Sequence, residues 1–290
     1  MAEGDTIYRM AAGFRPQLVG GIVRSARTTK NAGVGRLVGS TVISIETLGK
    51  NLLIRFSNGL TLRTHLRMTG TWRTYESGEA GWRAAARAVL VVELDGVLAA
   101  CFDAPVVELF DTRAESIHPV LRRLGPDLLD EAFDAAGALV RLRDPAESTT
   151  TIAEAILDQR VMAGVGNVFR SEILFIERVD PFAVVGSLDD RTLERIVATA
   201  QRLLLVNVQP GHPRRRITTD RVRAAGGQDV WVYGLRGRPC RRCGTSIRAA
   251  SLGRDLPRTV WWCPRCQAPA ADRGTDEPAL RPRTRPFPRS

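Results

Sequence analysis

The sequence predicts an α+β chain of more than one domain. It should hold one N-terminal helix and a β-sandwich, then a helical half, then a β-hairpin built around a metal ion. Three observations carry this. A length of 290 residues is long for one domain and suits two. The apolar period changes from strand-like to helix-like near His118 and Pro119. Four of the five cysteines fall in two C-x2-C pairs near the C-terminal end. A hydrophobic content of 44% with 25% charged residues is that of a globular protein and excludes wholesale disorder. No apolar run approaches the ~20 residues of a membrane-spanning helix, so no membrane association is expected.

The first residues, Met1 to Asp5, are acidic and lack the apolar core of a secretory signal, which points to the cytoplasm. Residues 5–18 place Ile7, Met10, Ala11 and Phe14 at helical spacing. Strand patterns follow at 42–45 and 52–56. The turn Ser57-Asn58-Gly59 leads into 60–66, and Asn-Gly between alternating runs signals a hairpin. A second hairpin reads 89–94, turns at Asp95-Gly96 and returns through 97–102. Cys101 lies in this apolar return strand and reads as a small buried hydrophobe. Beyond residue 118, Leu128, Leu129, Ala132 and Phe133 precede a loop at Asp144-Pro145, and 152–157, 168–176 and 193–206 have helical periodicity. The last stretch is proline-rich without apolar periodicity. The expected division is 1–117, 118–235, a zinc finger at 236–267 and a disordered tail at 268–290.

Charge narrows the class of partner. Lys+Arg total 42 against 31 Asp+Glu, and only Lys30 and Lys50 are lysines. Genomic codon bias is one reading of the arginine excess. Whatever its origin, the guanidinium fork binds phosphate in bidentate fashion. Residues 211–266 hold 13 Arg and three acids, Asp220, Asp229 and Asp255, a net +10 of the chain's +11. Such a localised excess fits a nucleic-acid surface, with a generic solvated face as the alternative.

The cysteines read Cys240-Arg241-Arg242-Cys243 and Cys263-Pro264-Arg265-Cys266, a C-x2-C-x19-C-x2-C spacing. Two such knuckles supply four thiolates to one tetrahedral zinc ion. Disulfides fit poorly with a chain lacking an export signal, and a redox C-x-x-C ordinarily comes singly on a βαβ unit. In the helical half, Gly164 and Gly166 interrupt two helices. Their N–H groups and the Asn167 amide could grip a phosphate, or the glycines could serve a tight helical corner.

Several of these features together resemble the bacterial formamidopyrimidine-DNA glycosylase and endonuclease VIII family. The start Met1-Ala2-Glu3-Gly4-Asp5-Thr6 is similar to that family's Met-Pro-Glu opening, and Gly49-Lys50-Asn51-Leu52-Leu53 to its hairpin lysine. Residues 164–172 resemble its helix–two-turn–helix motif. Residues 240–267 resemble its zinc finger, with Arg258-Thr259 before the second knuckle. The elements come in the family's order across residues 1–267, and the Glu-Gly-Asp-Thr opening is closer to the endonuclease VIII branch. The resemblance implies a monomeric base-excision repair enzyme acting on damaged DNA, duplex or single-stranded. Such an enzyme flips a damaged base and cleaves its glycosidic bond. Its N-terminal amine then forms a Schiff base at C1′ and cuts the strand by β,δ-elimination. It implies that Ala2 is the nucleophile after loss of Met1, and that Glu3 is the acid/base. Lys50 would hold the phosphate beside the lesion or assist proton transfer. Asn167 and Arg258 would pinch the backbone, and Met68, in the loop 65–70, would wedge into the duplex. Zinc would be structural, held by Cys240, Cys243, Cys263 and Cys266. Glu172 reads as a brace for the two-turn corner.

Two departures matter. Position 2 is alanine where the family has proline. A proline iminium is permanently charged, whereas an alanine imine must gain a proton before it draws electrons. Residues 103–108 lack the arginine/phenylalanine loop with which the formamidopyrimidine branch probes the opposite base, so oxidised pyrimidines are the favoured lesions. The competing expectation is a DNA-damage or structure-binding protein that keeps the scaffold and has lost turnover.

Overall fold

The computed structural model describes residues 2–144, 149–212, 216–219, 229–253 and 257–268. Helix α1, Gly4–Leu18, buries Ile7, Ala11, Phe14 and Leu18 on one stripe, the spacing that the sequence displays. Eight strands follow: β1 Val23–Thr28, β2 Val42–Leu48, β3 Asn51–Phe56, β4 Leu60–His65, β5 Thr71–Glu76, β6 Leu90–Leu94, β7 Val97–Phe102 and β8 Val106–Asp111. A short helix α2, Glu79–Ala84, lies between β5 and β6. The strands form two antiparallel four-stranded sheets, β1-β6-β7-β5 and β2-β3-β4-β8.

One apolar core fills the space between the sheets and under α1. It includes Phe14, Ile45, Leu52, Ile54, Leu62, Trp72, Leu90, Val92 and Cys101. Both expected hairpins form. Gly59 has φ +77° in the β3–β4 turn and Gly96 has φ +77° in the β6–β7 turn, a conformation glycine adopts at no steric cost. The sequence reading did not place β1, β5, β8 or α2. Arg24, Arg27, Arg73 and Glu108 interrupt the apolar patterns of the three strands.

The second half packs around α3 Ala135–Leu142, α4 Ile152–Ala155, α5 Asn167–Ile176 and α6 Asp190–Val208. Three helix starts are capped by side chains that accept a backbone N–H: Asp134 from Gly137, Thr151 from Glu154 and Asp189 from Thr192. Phe169, Ile173 and Leu174 of α5 meet Leu193, Ile196, Ala200 and Leu203 of α6 in a second core. The expected helix at 152–157 is a single turn. Leu128, Leu129, Ala132 and Phe133 lie in turns, where Asp127 and Asp130 take N–H groups from Leu129 and Ala132.

The last two strands, β9 Arg248–Leu252 and β10 Arg258–Trp262, pair as a hairpin. Val260 enters the second core, and Ser171 of α5 accepts a hydrogen bond from the Trp261 N–H at 3.4 Å. The stretch read as a tail lies outside the described residues from 269 onward. Among the described residues, no helix is long and apolar enough to cross a membrane.

Candidate active site and metal centre

Glu3 stands immediately before α1, yet its carboxylate does not cap that helix. It crosses to the start of α5, where Oε1 accepts from the Val168 N–H at 2.8 Å and Oε2 from the Phe169 N–H at 3.3 Å. A carboxylate is stabilised at a helix N-terminus by exposed N–H groups and by the helix dipole. The side chain is fully buried. Glycines make this approach possible. A Cβ on Gly166 would lie 2.3 Å from the Glu3 Cδ, and one on Gly4 would lie 2.9 Å from the Gly164 Cα. The Gly4 N–H donates to the Gly164 carbonyl at 2.9 Å. Three N–H groups at this corner are committed within the chain: those of Val168 and Phe169 go to Glu3, and that of Gly164 to Gln159 Oε1. The glycines serve close packing, the second of the two readings offered by their spacing.

Ala2 is half-buried against the sandwich core, next to Glu3. Lys50 sits at the tip of the β2–β3 hairpin, after Gly49 with φ +58°. The buried Asp127 holds that turn by accepting the Gly49 N–H at 2.6 Å. Burial pushes the Lys50 ammonium down from 10.5 to about 8. The Glu3 carboxylate opposes the shift, and the Arg258, Arg216 and Arg170 cations add to it. Close by, His65 is lowered to about 4 by burial and by the charges of Arg63, Lys50 and Arg67, so it is neutral at physiological pH. Its Nδ1 accepts the Arg67 N–H at 3.2 Å, which puts the ring proton on Nε2.

Asn167 opens α5 and is buried. Its Nδ2 donates to the Thr259 carbonyl at 2.9 Å, its Oδ1 accepts from Arg170, and it reaches Tyr233. Arg258 begins β10, and its Nη1 lies 3.6 Å from the Met68 sulfur. Met68 is 52% exposed at the tip of the loop after β4, so it is no core residue. Glu3 thus bonds the residues that follow Asn167, Asn167 bonds the residue that follows Arg258, and Arg258 meets Met68, with Lys50 in the field of the Glu3 and Arg258 charges. The β7–β8 connection is only Asp103, Ala104 and Pro105. Glu172 is buried and accepts N–H groups from Trp231, Val232 and Tyr233 at 2.7–2.9 Å, and the Thr218 hydroxyl. It braces the 231–233 segment beside the hairpin.

Sequence reasoning missed Arg170, Asp5, Arg216 and Tyr233. Arg170 is fully buried and donates to the Arg258 and Thr259 carbonyls at 3.3 and 3.0 Å, locking β10 to α5. A charged residue within the apolar run of α5 was its available signal. Asp5 is also fully buried. Arg216 donates to it through Nε at 3.0–3.1 Å and through Nη2 at 2.8 Å. Arg216 is one of three consecutive arginines and carries no mark of its own in the sequence.

The four cysteines converge. Their sulfurs all lie within 4.8 Å of one another, with 3.9 Å between Cys240 and Cys266 and 3.4 Å between Cys243 and Cys263. Neither distance is a disulfide, which needs about 2.05 Å. A tetrahedral ion with metal–sulfur bonds of about 2.3 Å requires sulfurs about 3.8 Å apart. The donor set therefore fits a metal ion. Backbone N–H groups of Arg242 and Cys266 point at the sulfurs of Cys240 and Cys263, both at 3.4 Å, as a tight knuckle requires.

Comparison with known proteins agrees with this architecture. Residues 1–114 match the formamidopyrimidine-DNA glycosylase N-terminal domain, and residues 124–218 match the formamidopyrimidine-DNA glycosylase H2TH domain. The chain is 38% identical over 288 residues to a probable endonuclease 8 2 of Streptomyces coelicolor, covering 98% of this chain and all of that one. It is 36% identical over 269 residues to the DNA-(apurinic or apyrimidinic site) lyase Nei2 of Mycolicibacterium smegmatis, covering 92% and 99%. Its fold is similar to that of the Lactococcus lactis formamidopyrimidine-DNA glycosylase solved non-covalently bound to DNA containing an abasic site. The TM-score is 0.75 at 22% identity, over 92% of this chain and all of that one.

Proposed function

We propose that this chain, which belongs to the formamidopyrimidine-DNA glycosylase and endonuclease VIII family, is a DNA glycosylase and abasic-site lyase of base excision repair. Oxidised pyrimidines are its favoured lesions, and damaged DNA, duplex or single-stranded, is its partner. The observation that carries the reading is the buried Glu3 carboxylate, seated on α5 one residue from the Ala2 nitrogen, which becomes the terminal amine once Met1 is removed. Homology to bacterial repair proteins supports a cytoplasmic monomer that meets the nucleoid through its DNA.

Once Met1 is removed, the Ala2 amine attacks C1′ of the damaged nucleoside. An α-amino group has an unperturbed pKa of about 7.7–8.0, so much of it is neutral near pH 7.5. The C1′–N bond breaks, and the base leaves with its electron pair and gains a proton. Glu3 delivers a proton to the ring oxygen as the sugar opens to the imine. Protonated, the imine takes up the electron pair left when C2′ loses a proton, and the resulting enamine returns it to form the C2′=C3′ bond as the 3′ phosphate leaves with the C3′–O electrons. A second elimination breaks the 5′ C–O bond, and water returns the amine. Lys50 and Arg258 balance the flanking phosphates, while Asn167 holds the 258–259 backbone in place. Met68, exposed beside Arg258, enters the space that the flipped base vacates. Cys240, Cys243, Cys263 and Cys266 hold one zinc ion, which fixes the hairpin carrying Arg258 and takes no part in bond making.

The test is borohydride trapping on an oligonucleotide with an abasic site, followed over a lesion panel. A covalent adduct that disappears when the N-terminus is acetylated is the expected result. Specific binding without any adduct would favour the reading as a turnover-free damage binder, which the alanine at position 2 keeps in view.

A further inference from the structure

We propose that Asp5 and Arg216 form a positioning pair that holds the Ala2–Glu3 end of the chain in register with its substrate. The inference rests on the lyase reading above. A chain terminus is ordinarily the least ordered part of a domain. A terminal amine that must attack one carbon atom therefore needs an anchor, since a misplacement of about 1 Å can lower a rate by about a hundredfold.

Three anchors hold this terminus. The Gly4 N–H bonds to the Gly164 carbonyl at 2.9 Å. Glu3 bonds to the N–H groups of Val168 and Phe169. Asp5, in the first turn of α1, receives Arg216 through Nε and Nη2. The Glu3 anchor is compromised by its own chemistry. A carboxyl group that gains and loses a proton changes its capacity as an acceptor in each cycle. The Asp5–Arg216 pair contains no group that exchanges protons in the reaction, so its hold is constant while Glu3 works.

The pair is built for orientation as well as charge. The Asp5 side chain is fully buried and that of Arg216 is 15% exposed. Arg216 donates again to the Thr6 hydroxyl at 2.7 Å. Its guanidinium carbon lies 5.4 Å from the centre of the Phe169 ring, on the residue whose N–H reaches Glu3. One planar fork therefore touches the first turn of α1 and the first turn of α5 together. Arg9 also bonds Asp5, at 2.9 Å, from one turn further along α1. A lysine at position 216 would keep the charge without the fork.

The experiment is single-turnover trapping on a preformed abasic duplex at saturating protein, with affinity measured separately. Arg216→Gln and the neutral pair Asp5→Asn/Arg216→Gln should slow the saturated rate at least tenfold, with affinity within about threefold of the parent. Arg216→Lys should recover only part of the rate. Thermal melting of the double variant, in which neither member of the pair is left charged without the other, confirms that it is folded. A parent-like saturated rate with lost affinity would make Arg216 a simple DNA contact and overturn the proposal. Full recovery by lysine would overturn it too, because charge alone would then suffice. Absence of trapping by the parent protein would instead overturn the lyase reading, and the positioning role with it.

Discussion

Lys50 meets two opposing demands, to stay charged for a phosphate and to sit in a site crowded with arginines. Its pKa of about 8 lies well below the ordinary 10.5. At pH 7 it is protonated, and its contact with DNA is lost as pH rises through about 8. Affinity for an abasic duplex should therefore weaken between pH 7 and 9, and Lys50→Arg should flatten that dependence. Stability runs the other way. Between about 8 and 10.5 the unfolded chain binds the proton that the folded one has released, so this group's contribution to stability rises with pH across that window. Melting curves of the parent and Lys50→Met should accordingly converge as pH is raised above 8. Glu3 offers a second test at this scale. Glu3→Gln removes the proton donor and should slow base release by about a hundredfold or more, the range of a general acid. It leaves an acceptor oxygen toward α5, so trapping on a preformed abasic site should persist.

At the scale of elements, the meeting of α1 and α5 depends on having no side chain at Gly166. Gly166→Ala is compatible with its backbone, at φ −118°, but the new methyl would occupy the place of the Glu3 carboxylate. Base release should fall as far as in Glu3→Gln, with a loss of stability of about 1–3 kcal/mol from overpacking. Kinetics and thermal melting on one preparation check both. Such juxtapositions mark the limit of what the sequence discloses. Helix α1, the two hairpins, α5 and the cysteine pairs are legible because apolar period, Asn-Gly and C-x2-C are local signals. Glu3, Lys50, Asn167 and Arg258 were picked out through a family resemblance. Only packing brings the Glu3 carboxylate to a second helix, buries Arg170 under β10 and pairs Asp5 with Arg216. The strands β1, β5 and β8 escaped because their charged residues break the alternation, and Glu108 of β8 does so while pairing with the buried Arg63 of β4.

At the scale of the molecule, the net charge of +11 and the arginine-rich hairpin predict binding that is governed by salt. If four or more phosphates are neutralised, affinity should drop by about a hundredfold between 50 and 200 mM salt. A titration showing little change would remove the basic groove from the account. Freshly purified protein should carry about one equivalent of zinc, measured by elemental analysis. Cys263→Ser should lose both the metal and DNA affinity, because Arg258 rides on the same hairpin. The bonds from Glu3 to α5 and from Asp5 to Arg216 span 165–166 and 211 positions of the chain. Contacts so distant in sequence close late in folding. A ribosome that has released only the first two hundred residues therefore holds a terminus that can already meet Gly164 and α5 but still lacks Arg216, its remaining anchor. The hold on the terminus is thus completed only once residue 216 has emerged, late in synthesis.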